Sequence, residues 1–339
     1  MRGPLDRIPS IKMKLGIVIV AAVAMTATLV VLGSRTRLPL WACGVIAVGL
    51  ALAMVQFLAR GMTAPLRQMA AAAGEMAEGR PANPVATTSR DEVGQLAHSF
   101  NLMAGELAEV DRERRELIAN VSHELRTPIS ALRAVLENIV DGVEPPDPRT
   151  LQTMLEQVDR LGRLVAQLLD LSRLEAGESA IESRPFAVAP VLEAAVREAQ
   201  IGRGRPGMQG VRVQLSVEPP SLEASGDPER IHQVVANLLE NALRHSPGGA
   251  RVAIGAFAPA DGVVELTVAD EGPGIPAGEE DRVFERFYRS DSAHASDGGT
   301  GLGLAIARSI VDLHGGRIRA EQRRPRGCRM VVVLPRASS

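Results

Sequence analysis

The chain opens with two long apolar runs and then changes to segments of helical and, later, alternating periodicity. Residues 15–34 and 38–59 contain no charged side chain, and each is close to the roughly 20 residues that a helix needs to cross a bilayer. The pattern predicts two transmembrane helices joined by a short loop at 35–37. A cleaved signal peptide is the alternative for the first run, since Lys12 and Lys14 precede it. A second apolar run follows at once, however, with no clear cleavage site before it.

Basic residues set the expected orientation of these two helices. Lysine and arginine side chains lie before the first run and after the second, whereas the loop contributes only Arg35 and Arg37. Because basic residues are biased towards the cytoplasmic side, residues 1–14 and everything from residue 60 onward are expected in the cytoplasm. The loop is too short to hold a folded domain outside the membrane.

Two short segments of heptad-like spacing follow, within residues 60–112. Their apolar residues recur at steps of three and four, and the loop between them, EGRPANP, is rich in glycine, proline and asparagine. This pattern predicts two helices of a coiled coil. Each would be marginal alone, so a second chain, most simply in a dimer, is expected to complete the core. The first segment uses Leu66, Met69, Ala73 and Met76, and the second uses Val93, Leu96, Phe100, Met103, Leu107 and Val110.

A helical hairpin is predicted for residues 113–178. Apolar residues again recur at steps of three and four on both sides of a proline-rich turn, DGVEPPDPRT at 141–150, and two such hairpins would form a four-helix bundle. Near Arg114 the apolar seam changes phase, which locally alters supercoiling. This change either converts a twist from the membrane into movement of the hairpin or is only a solvated joint between two bundles.

The stretch NVSHELRTPIS places an ionisable ring on the first helix of this hairpin. At about 100° per residue, His123 lies about 200° from Val121 and about 160° from Leu125, two residues of the apolar stripe. His123 is therefore expected to face water, with Glu124 beside it and Thr127 one turn further along. A histidine that serves packing would lie on the stripe, and a structural metal ligand would need partners that this segment lacks. What remains is an exposed nitrogen nucleophile next to a carboxylate.

Beyond the hairpin the pattern changes to alternation, which predicts a separate α/β domain over 184–336. Four stretches have the alternation of strands, and three have the periodicity of helices. The predicted strands are 211–217, 251–257, 263–269 and 328–334, and the predicted helices are 190–200, 227–245 and 302–314.

The helix predicted at 227–245 has one apolar face and one polar face that carries Asn237, Asn241 and Arg244. Such a polar face is by itself most simply exposed to solvent. Asparagine is a poor helix former, however, and two asparagines one turn apart indicate that their amides are used. They are candidates for binding Mg²⁺ and for hydrogen bonds to phosphate oxygens, to which Arg244 would add positive charge.

Two glycine-rich stretches complete a candidate nucleotide site. In ADEGPGIP, Asp270 could accept a hydrogen bond from an exocyclic amine, while Gly272 and Gly274 would let the backbone approach a flat ring. In GGTGLGLAIA, the loop before a helix N-terminus would bind phosphates through backbone amides. Each stretch alone is a weak signal, but amides for Mg²⁺, an acid for a base and a loop for phosphates together describe one site. The candidate residues of the phosphate loop are Gly299, Gly301, Leu302 and Gly303.

The segment DRVFERFYRS lies between these two stretches. Phe284 and Phe287 are expected to anchor a mobile segment. Arg286 and Arg289 either reach the phosphates or lie on a solvated surface.

Composition narrows the class of protein only slightly. The formal charge of −2 over 339 residues argues against a nucleic-acid binder, which would normally carry a strongly basic surface. The two cysteines, Cys43 and Cys328, lie near opposite ends of the chain and are not expected to form a disulfide framework.

The motifs occur in the order found in bacterial two-component sensor histidine kinases, and the chain resembles that family over residues 15–335. NVSHELRTPIS resembles the H box, NLLENALRHS the N box, DEGPGIP the G1 box, FERFYR the F box and GTGLGLAIA the G2 box. Five boxes in the right order are far more specific than any one of them. Residues 60–112 resemble a HAMP linker, in which Pro65 and Glu92 match characteristic positions. His245 departs from the family pattern, which often has an aromatic residue there.

The resemblance implies a fold class and a set of roles. The fold would be multidomain, with two transmembrane helices, a HAMP coiled coil, a dimeric four-helix bundle built from one hairpin per chain, and an α/β sandwich that binds ATP. His123 would be the phosphoacceptor, and Glu124 would orient its ring or take its proton. Thr127 would position water for dephosphorylating a partner. ATP would donate the phosphoryl group, with Mg²⁺ bound at Asn241.

The resemblance also implies partners and a location. The protein would be a homodimer in the bacterial inner membrane, multi-pass, with its catalytic domains in the cytoplasm. It would pass the phosphoryl group to an aspartate of a separate response regulator, because the sequence contains no receiver-like domain. Direct binding of nucleic acid is not expected. The signal would come from the bilayer, from an accessory membrane protein or from the cytoplasmic side.

Three alternatives use the same residues differently. A catalytically silent receptor or scaffold would bind ATP only to present surfaces, but it would have no need of the full set of motif residues. A family member dominated by phosphatase activity would act through Thr127, and the sequence does not separate it from a kinase. An ATPase of the gyrase or chaperone type would leave the H box and the membrane helices unexplained.

Overall fold

The structure is a computed structural model that describes residues 10–36, 39–86, 89–143, 145, 147–177, 181–201, 210–260, 262–289, 299–324 and 326–337. The chain divides into two compact units, Met1–Ile118 and Ala119–Ser339. One helix, α3 at Glu92–Val140, contributes residues to both units.

Two long helices dominate the first unit, α1 at Ile11–Thr36 and α2 at Leu40–Ala77. Within them, Ile11–Leu32 and Trp41–Ala77 are long and apolar enough to cross a membrane. Only 6% and 11% of their most apolar stretches are buried, so these helices are not the core of a soluble unit. The apolar side chains instead need an apolar surrounding such as a bilayer.

The second apolar helix does not end where its apolar run ends. Of the predicted span 38–59, residues 40–59 form the first part of α2, Pro39 precedes the helix and residue 38 lies outside the described residues. The helix continues through Pro65 into the first predicted coiled-coil segment. The predicted loop at 35–37 begins inside α1, whose last residue is Thr36, and residue 37 lies outside the described residues. A single helix therefore leads from the second apolar run into the following segment.

The first unit also contains a small apolar core, built mainly by residues that follow the two apolar runs. Of the predicted coiled-coil stripe, Met69 and Val93 are buried, whereas Leu66, Leu96 and Leu107 are exposed in the single chain. The stripe is thus only partly covered by the chain's own residues. The core consists of Met69, Ala72, Val85, Val93 and Ala97, with Ile11, Ala82 and Phe100 packed against it.

A helical hairpin opens the second unit. Its first helix is the remainder of α3, and its second is α4 at Pro148–Glu175. Asp147 caps α4 by accepting a hydrogen bond from the backbone N–H of Thr150 at 2.6 Å, in the usual position of an N-cap carboxylate. Several apolar side chains on the two hairpin helices are exposed in the single chain, among them Ile129 and Val158. α3 runs through Arg114 without a break.

The rest of the second unit is an α/β sandwich, as the sequence predicts. A five-stranded sheet in the order β2-β4-β5-β7-β6 is parallel between β2 and β4 and antiparallel elsewhere, and β1 pairs with β3. Helices α5, α6 and α7 pack against one another and against the sheet. The strands are β1 Arg184–Ala187, β2 Arg212–Glu218, β3 Glu223–Gly226, β4 Arg251–Phe257, β5 Val263–Ala269, β6 Arg317–Gln322 and β7 Cys328–Pro335, and the helices are α5 Val188–Ile201, α6 Pro228–His245 and α7 Gly303–Leu313.

The predicted strands and helices of this domain are all present, with ends shifted by no more than two residues. Three strands were missed. β1 and β3 hold only four residues each, too few for alternation to be visible. β6, with the sequence RIRAEQ, carries charged residues at every second position, so it lacks the apolar signal of a buried strand.

Candidate functional site

His123 is exposed on α3, as its position on the helical wheel predicts. The hydroxyl of Thr127, one turn along, donates a hydrogen bond to the backbone oxygen of His123 at 3.2 Å. Pro128 follows inside the same uninterrupted helix and is buried. Because proline has no N–H, the backbone oxygen of Glu124 loses its usual donor four residues along. The turn of α3 that carries His123 therefore has one backbone hydrogen bond fewer than a regular helix.

Glu124 is held by the second helix of the hairpin. Its Oε2 lies 3.8 Å from Nη2 of Arg160 on α4, and both side chains are about three-quarters buried, with exposed fractions of 23% and 24%. An ion pair that is shielded from water loses less to screening than one on the surface. The carboxylate next to His123 is thus oriented from α4, a contact that no sequence pattern indicated.

A cavity of about 340 Å³ lies in the α/β sandwich, where the N, G1 and G2 stretches come together. Most of the predicted nucleotide residues line it, with several apolar side chains that the sequence did not single out. The lining consists of Asn241, Arg244, His245, Asp270, Pro273, Gly274, Ile275, Pro276, Val283, Tyr288, Arg289, Gly299, Gly301, Leu304, Cys328 and Met330. A largely apolar pocket with a few convergent polar groups is the usual form of a small-molecule site.

The two asparagines of α6 have different surroundings. Asn237 donates from Nδ2 to the backbone oxygen of Gly303 at 3.0 Å and does not line the cavity. The side chain of Asn241 lines the cavity and makes no hydrogen bond to any residue that the structure describes. Arg244 also lines it and donates to Glu240 at 2.6 Å. Asn241 is thus the asparagine whose amide is available to a ligand.

Asp270 lies at the end of β5 with 5% of its surface exposed. Its Oδ1 accepts hydrogen bonds from the backbone N–H groups of Gly272, at 2.8 Å, and Cys328, at 3.1 Å. Within the described part of the chain, its Oδ2 has no hydrogen-bond donor. A buried carboxylate oxygen without a donor is costly, so its presence fits a ligand that donates, such as the exocyclic amine of a base.

Cys328 is a lining residue that sequence reasoning missed. Burial and the neighbouring carboxylate of Asp270 raise the pKa of its thiol from 9.0 to about 12. The thiol therefore stays neutral at physiological pH and adds no charge to the cavity.

The glycines of the two predicted loops differ in what they require. Gly274 and Gly301 have φ angles of +83° and +70°, which L side chains rarely adopt. At Gly301 a Cβ would lie 2.8 Å from the backbone of Phe287, whose N–H donates to the Gly301 oxygen at 2.9 Å. At Gly272 it would lie 2.6 Å from the backbone oxygen of His245. These glycines permit close approach of backbone to backbone.

The last part of the predicted phosphate loop faces inward. Leu302 is fully buried and Gly303 begins α7, and neither lines the cavity. At Gly299, a Cβ would lie 2.6 Å from Nη1 of Arg244, so this glycine lets the arginine lie against the loop. Residues 290–298, which precede the loop, lie outside the described residues.

In the segment DRVFERFYRS, the phenylalanines and the arginines have different surroundings. Phe284 is buried with 4% exposed, and Phe287 packs against the same core, as predicted. Arg289 lines the cavity. Arg286 instead pairs with Glu175 of α4 at 2.6 Å, so the structure places it on the hairpin and not beside the cavity.

Helix α4 makes further polar contacts with the sandwich that the sequence did not predict. Asp170 accepts a hydrogen bond from Arg230 at 2.8 Å and another from Gln233, both on the polar face of α6. The hydroxyl of Thr300, in the phosphate loop, donates to Gln167 at 2.7 Å. These contacts tie the hairpin to two of the elements that form the cavity.

The donors present suit Mg²⁺ better than a metal with a closed set of protein ligands. Among the described residues there is no group of three or more histidine, cysteine, aspartate or glutamate side chains that could hold a metal ion. Mg²⁺ is typically bound through few protein oxygens together with substrate phosphates and water. The amide of Asn241, which has no partner in the described part of the chain, supplies such an oxygen at the cavity wall.

Three family models match the chain one after another. Residues 57–109 match the HAMP domain, residues 113–177 match the His Kinase A (phospho-acceptor) domain, and residues 226–338 match the histidine kinase-, DNA gyrase B- and HSP90-like ATPase. His123 falls in the second match and Asn241 in the third.

Individual proteins with similar sequences agree with this order. Signal transduction histidine-protein kinase BaeS of Escherichia coli (strain K12) is 38% identical over 296 residues, covering 87% of this chain and 62% of BaeS. Signal transduction histidine-protein kinase/phosphatase MprB of Mycolicibacterium paratuberculosis (strain ATCC BAA-968 / K-10) is 35% identical over 302 residues, covering 85% of this chain and 56% of MprB. The chain thus spans about three-fifths of the length of these relatives.

The fold agrees with a solved structure as well. The Acinetobacter baumannii histidine kinase AdeS superposes with a TM-score of 0.53 at 28% identity, over 64% of this chain and 98% of the AdeS chain. A phosphoacceptor hairpin followed by an ATPase sandwich is the arrangement of a histidine kinase. With a HAMP domain and two membrane-type helices ahead of it, the chain belongs to the sensor histidine kinases of bacterial two-component systems.

Proposed function

We propose that this protein is an ATP-dependent histidine kinase that phosphorylates its own His123. The observation that carries the proposal is the pairing, in one compact unit, of two incomplete sites. An exposed histidine stands beside a carboxylate that is fixed by Arg160. A cavity presents the amide of Asn241 and one carboxylate oxygen of Asp270, neither of which has a hydrogen-bond partner among the described residues. A silent receptor that binds ATP would use the cavity, but it would have no need of an exposed histidine beside a fixed carboxylate.

The chemical step is a phosphoryl transfer to nitrogen. Neutral imidazole has one N–H and one lone pair, and the lone pair of the ring nitrogen that faces solvent attacks the γ-phosphorus of ATP. The bond from that phosphorus to the bridging oxygen breaks, and ADP leaves with the electron pair. The proton on the other ring nitrogen passes to Glu124, so that the imidazole ring of the product is uncharged and the transferred phosphoryl group keeps its negative charge. The protein's contribution is mainly positioning and charge neutralisation.

Each polar residue of the cavity would contact a different part of ATP. Asp270 would accept from the exocyclic amine of the base, and backbone amides near Gly299 and Gly301 would face the phosphates with Arg244 adding charge. Asn241 would provide an oxygen ligand for Mg²⁺, which when bound would neutralise charge on the phosphates. Asn237, by contrast, would act through Gly303 by fixing the start of α7.

A second copy of the chain is the expected partner within the membrane. Apolar side chains of the hairpin, among them Ile118, Ile129 and Val158, are exposed in the single chain, and a second hairpin would cover them in a four-helix bundle. The two apolar helices would cross the bacterial inner membrane. The start of α1, the end of α2 and the sandwich would lie on the cytoplasmic side, where ATP is present.

The phosphoryl group would pass from His123 to an aspartate of a separate response regulator. An accessory membrane protein would be one source of the signal, because the loop between the spans is short.

A second activity is supported by the position of Thr127. Its exposed hydroxyl lies one helical turn from His123, where it could hold a water that attacks the phosphorus of a phosphoaspartate on the partner. The phosphorus–oxygen bond to the aspartate would break, releasing phosphate and a free carboxylate. MprB, a relative named as both kinase and phosphatase, adds support. We expect Thr127→Ala to retain labelling of His123 and to lose most of this hydrolysis.

The direct test is labelling of the full chain in lipid vesicles with γ-labelled ATP and Mg²⁺. We expect acid-labile, alkali-stable label that disappears in His123→Gln and Asn241→Ala. His98→Gln is the matched control, because His98 is an exposed histidine on the same helix. Wild-type protein that binds ATP as a dimer yet takes up no label would overturn the kinase proposal in favour of a phosphatase or a silent receptor.

A further inference from the structure

The first turn of α1 is built into the core of the first unit by a buried ion pair. Lys14 donates from Nζ to Asp91 at 2.5 Å and to Ser89 at 2.7 Å. Lys14 is 5% exposed and Asp91 1% exposed. Lys12, one half-turn away, is exposed and forms no ion pair with the described residues. The two lysines at the start of the first apolar helix thus have different surroundings.

Asp91 directly precedes α3 and caps its N-terminus. Its Oδ1 accepts a hydrogen bond from the backbone N–H of Gly94 at 3.1 Å, while Oδ2 receives Lys14. This is the geometry of an N-cap carboxylate. At Gly94, a Cβ would lie 1.9 Å from the backbone oxygen of Ser89, so the close approach of the connecting segment to α3 requires glycine. The ion pair therefore joins α1 to the N-terminus of α3.

Glu92, the residue after Asp91, caps the N-terminus of α1. Glu92, the first residue of α3, accepts a hydrogen bond from the backbone N–H of Ile11 at 2.8 Å and another from the hydroxyl of Ser10 at 2.9 Å. A carboxylate at a helix N-terminus is favourable both as a hydrogen-bond acceptor and towards the helix dipole. The bond from Ile11 is the main reason that the pKa of Glu92 is lowered. Each of the two helices thus begins at a residue that contacts the other.

The contact between Lys14 and Asp91 is either formed or broken, with no favourable intermediate. A buried lysine that loses its carboxylate leaves an uncompensated charge, which is far more costly than the loss of a surface pair. α1 can therefore keep this contact or break it, but it cannot slide along α3 while the pair stays intact. Two discrete arrangements are what a switching element requires.

We propose that Lys14, Asp91 and Glu92 form a latch through which the first apolar helix acts directly on α3, the helix that carries His123. The route bypasses α2 and the segment that connects it to α3. The signalling role rests on the proposed kinase function, whereas the latch itself does not. A displacement of α1 in the membrane would then reach α3 at its first turn.

The test uses the full chain in lipid vesicles with two readouts, hydrogen exchange at residues 10–14 and 89–95 and labelling of His123 by ATP. Lys14→Met removes the charge, and Asp91→Asn weakens the pair while keeping a residue that can cap α3. Lys12→Met is the matched control, since it removes a neighbouring positive charge that has no ion pair with any residue that the structure describes. Glu92→Gln tests the second half of the latch independently of any folding defect at Lys14.

We expect faster exchange at both segments in Lys14→Met and Asp91→Asn, and a change in labelling of about fivefold or more in the same direction for both. The double variant should change labelling no further than either single variant, because both break one interaction. Glu92→Gln should shift labelling the same way by less, and Lys12→Met should match wild type.

Each other outcome overturns a stated part of the proposal. Unchanged exchange in Lys14→Met would mean that no latch forms. Faster exchange with unchanged labelling would mean that the latch carries no signal. Absence of label on wild type would overturn the kinase function and with it the signalling role, while the exchange data would still decide whether the latch exists.

Discussion

The Oε2 atom of Glu124 lies 3.8 Å from Nη2 of Arg160, so the carboxylate beside the candidate phosphoacceptor is held from the opposite helix of the hairpin. The contact makes the position of that carboxylate depend on how α4 packs against α3. A general base contributes only when it is within reach of the proton that it takes. Arg160 is therefore a positioning residue for Glu124, although it does not line the nucleotide cavity.

Arg160→Met should lower the rate of His123 phosphorylation about 3- to 10-fold, less than the roughly 10²-fold expected of Glu124→Gln, which removes the proposed base itself. The KM for ATP should be unchanged, because neither residue lines the cavity. Initial rates at several ATP concentrations separate the two effects. Arg163→Met is the control, since Arg163 is exposed on the same helix. A rate equal to wild type in Arg160→Met would mean that the ion pair does not position Glu124.

The two asparagines of α6 should respond differently to alanine. Asn237→Ala removes the hydrogen bond to Gly303 and should lower the free energy of unfolding by about 1 kcal/mol. Asn241→Ala removes an amide with no partner among the described residues, so it should leave the unfolding free energy unchanged and abolish the Mg²⁺-dependent part of ATP affinity. Thermal unfolding without nucleotide, and ATP titrations with Mg²⁺ or with EDTA, measure the two quantities. The opposite pattern would show that Asn237 is the ligand.

The sequence predicted the ATP-binding domain well because its signals are local. On α6, the apolar positions Ile231, Val235 and Leu239 recur at helical spacing, and all three are buried. The position of His123 follows from the same periodicity, which places it away from the apolar stripe. Such features depend on residues a few positions apart, which is the range that pattern reasoning covers.

The contacts that the sequence did not reveal join residues far apart in the chain. Glu124 with Arg160, and Lys14 with Asp91, involve charged residues whose own neighbours carry no sign of the pairing. Charged residues in helices are most often solvated, so a pattern cannot single out the few that are buried. Asn237 was assigned together with Asn241 because the two share a helix face, and only the surrounding structure separates their contacts.

The glycines of the phosphate loop provide a matched pair of substitutions. Gly301→Ala forces a side chain at a φ of +70° and against the backbone of Phe287, and should cost about 1–3 kcal/mol of stability as well as ATP affinity. Gly303→Ala places a Cβ 3.7 Å from Asn237, an ordinary contact, and should stay within about 0.5 kcal/mol of wild type. Chemical denaturation of the two variants gives the comparison. Equal losses would mean that backbone conformation is not what distinguishes the glycines.

The thiol of Cys328 should be unreactive while the protein is folded. Its pKa of about 12 leaves so little thiolate at pH 9 that alkylation should be about 10²- to 10³-fold slower than in the denatured chain. Because the folded pKa is raised, the contribution of the neutral thiol to stability is complete below pH 9 and is lost as pH rises towards 12. Asp270→Asn removes the negative charge that contributes to the shift, so it should lower the pKa and speed up alkylation.

Mass spectrometry of the Cys328 peptide after timed alkylation measures these rates, and Cys43, in α2, is followed separately in the same sample. Cys328→Ala should lose less stability than wild type between pH 9 and 12, since it has no thiol to ionise. Folded protein that reacts as fast as denatured protein would show that the cavity wall is open to solvent at Cys328. An unchanged rate in Asp270→Asn would instead assign the shift to burial alone, and the carboxylate would then have no part in keeping the thiol neutral.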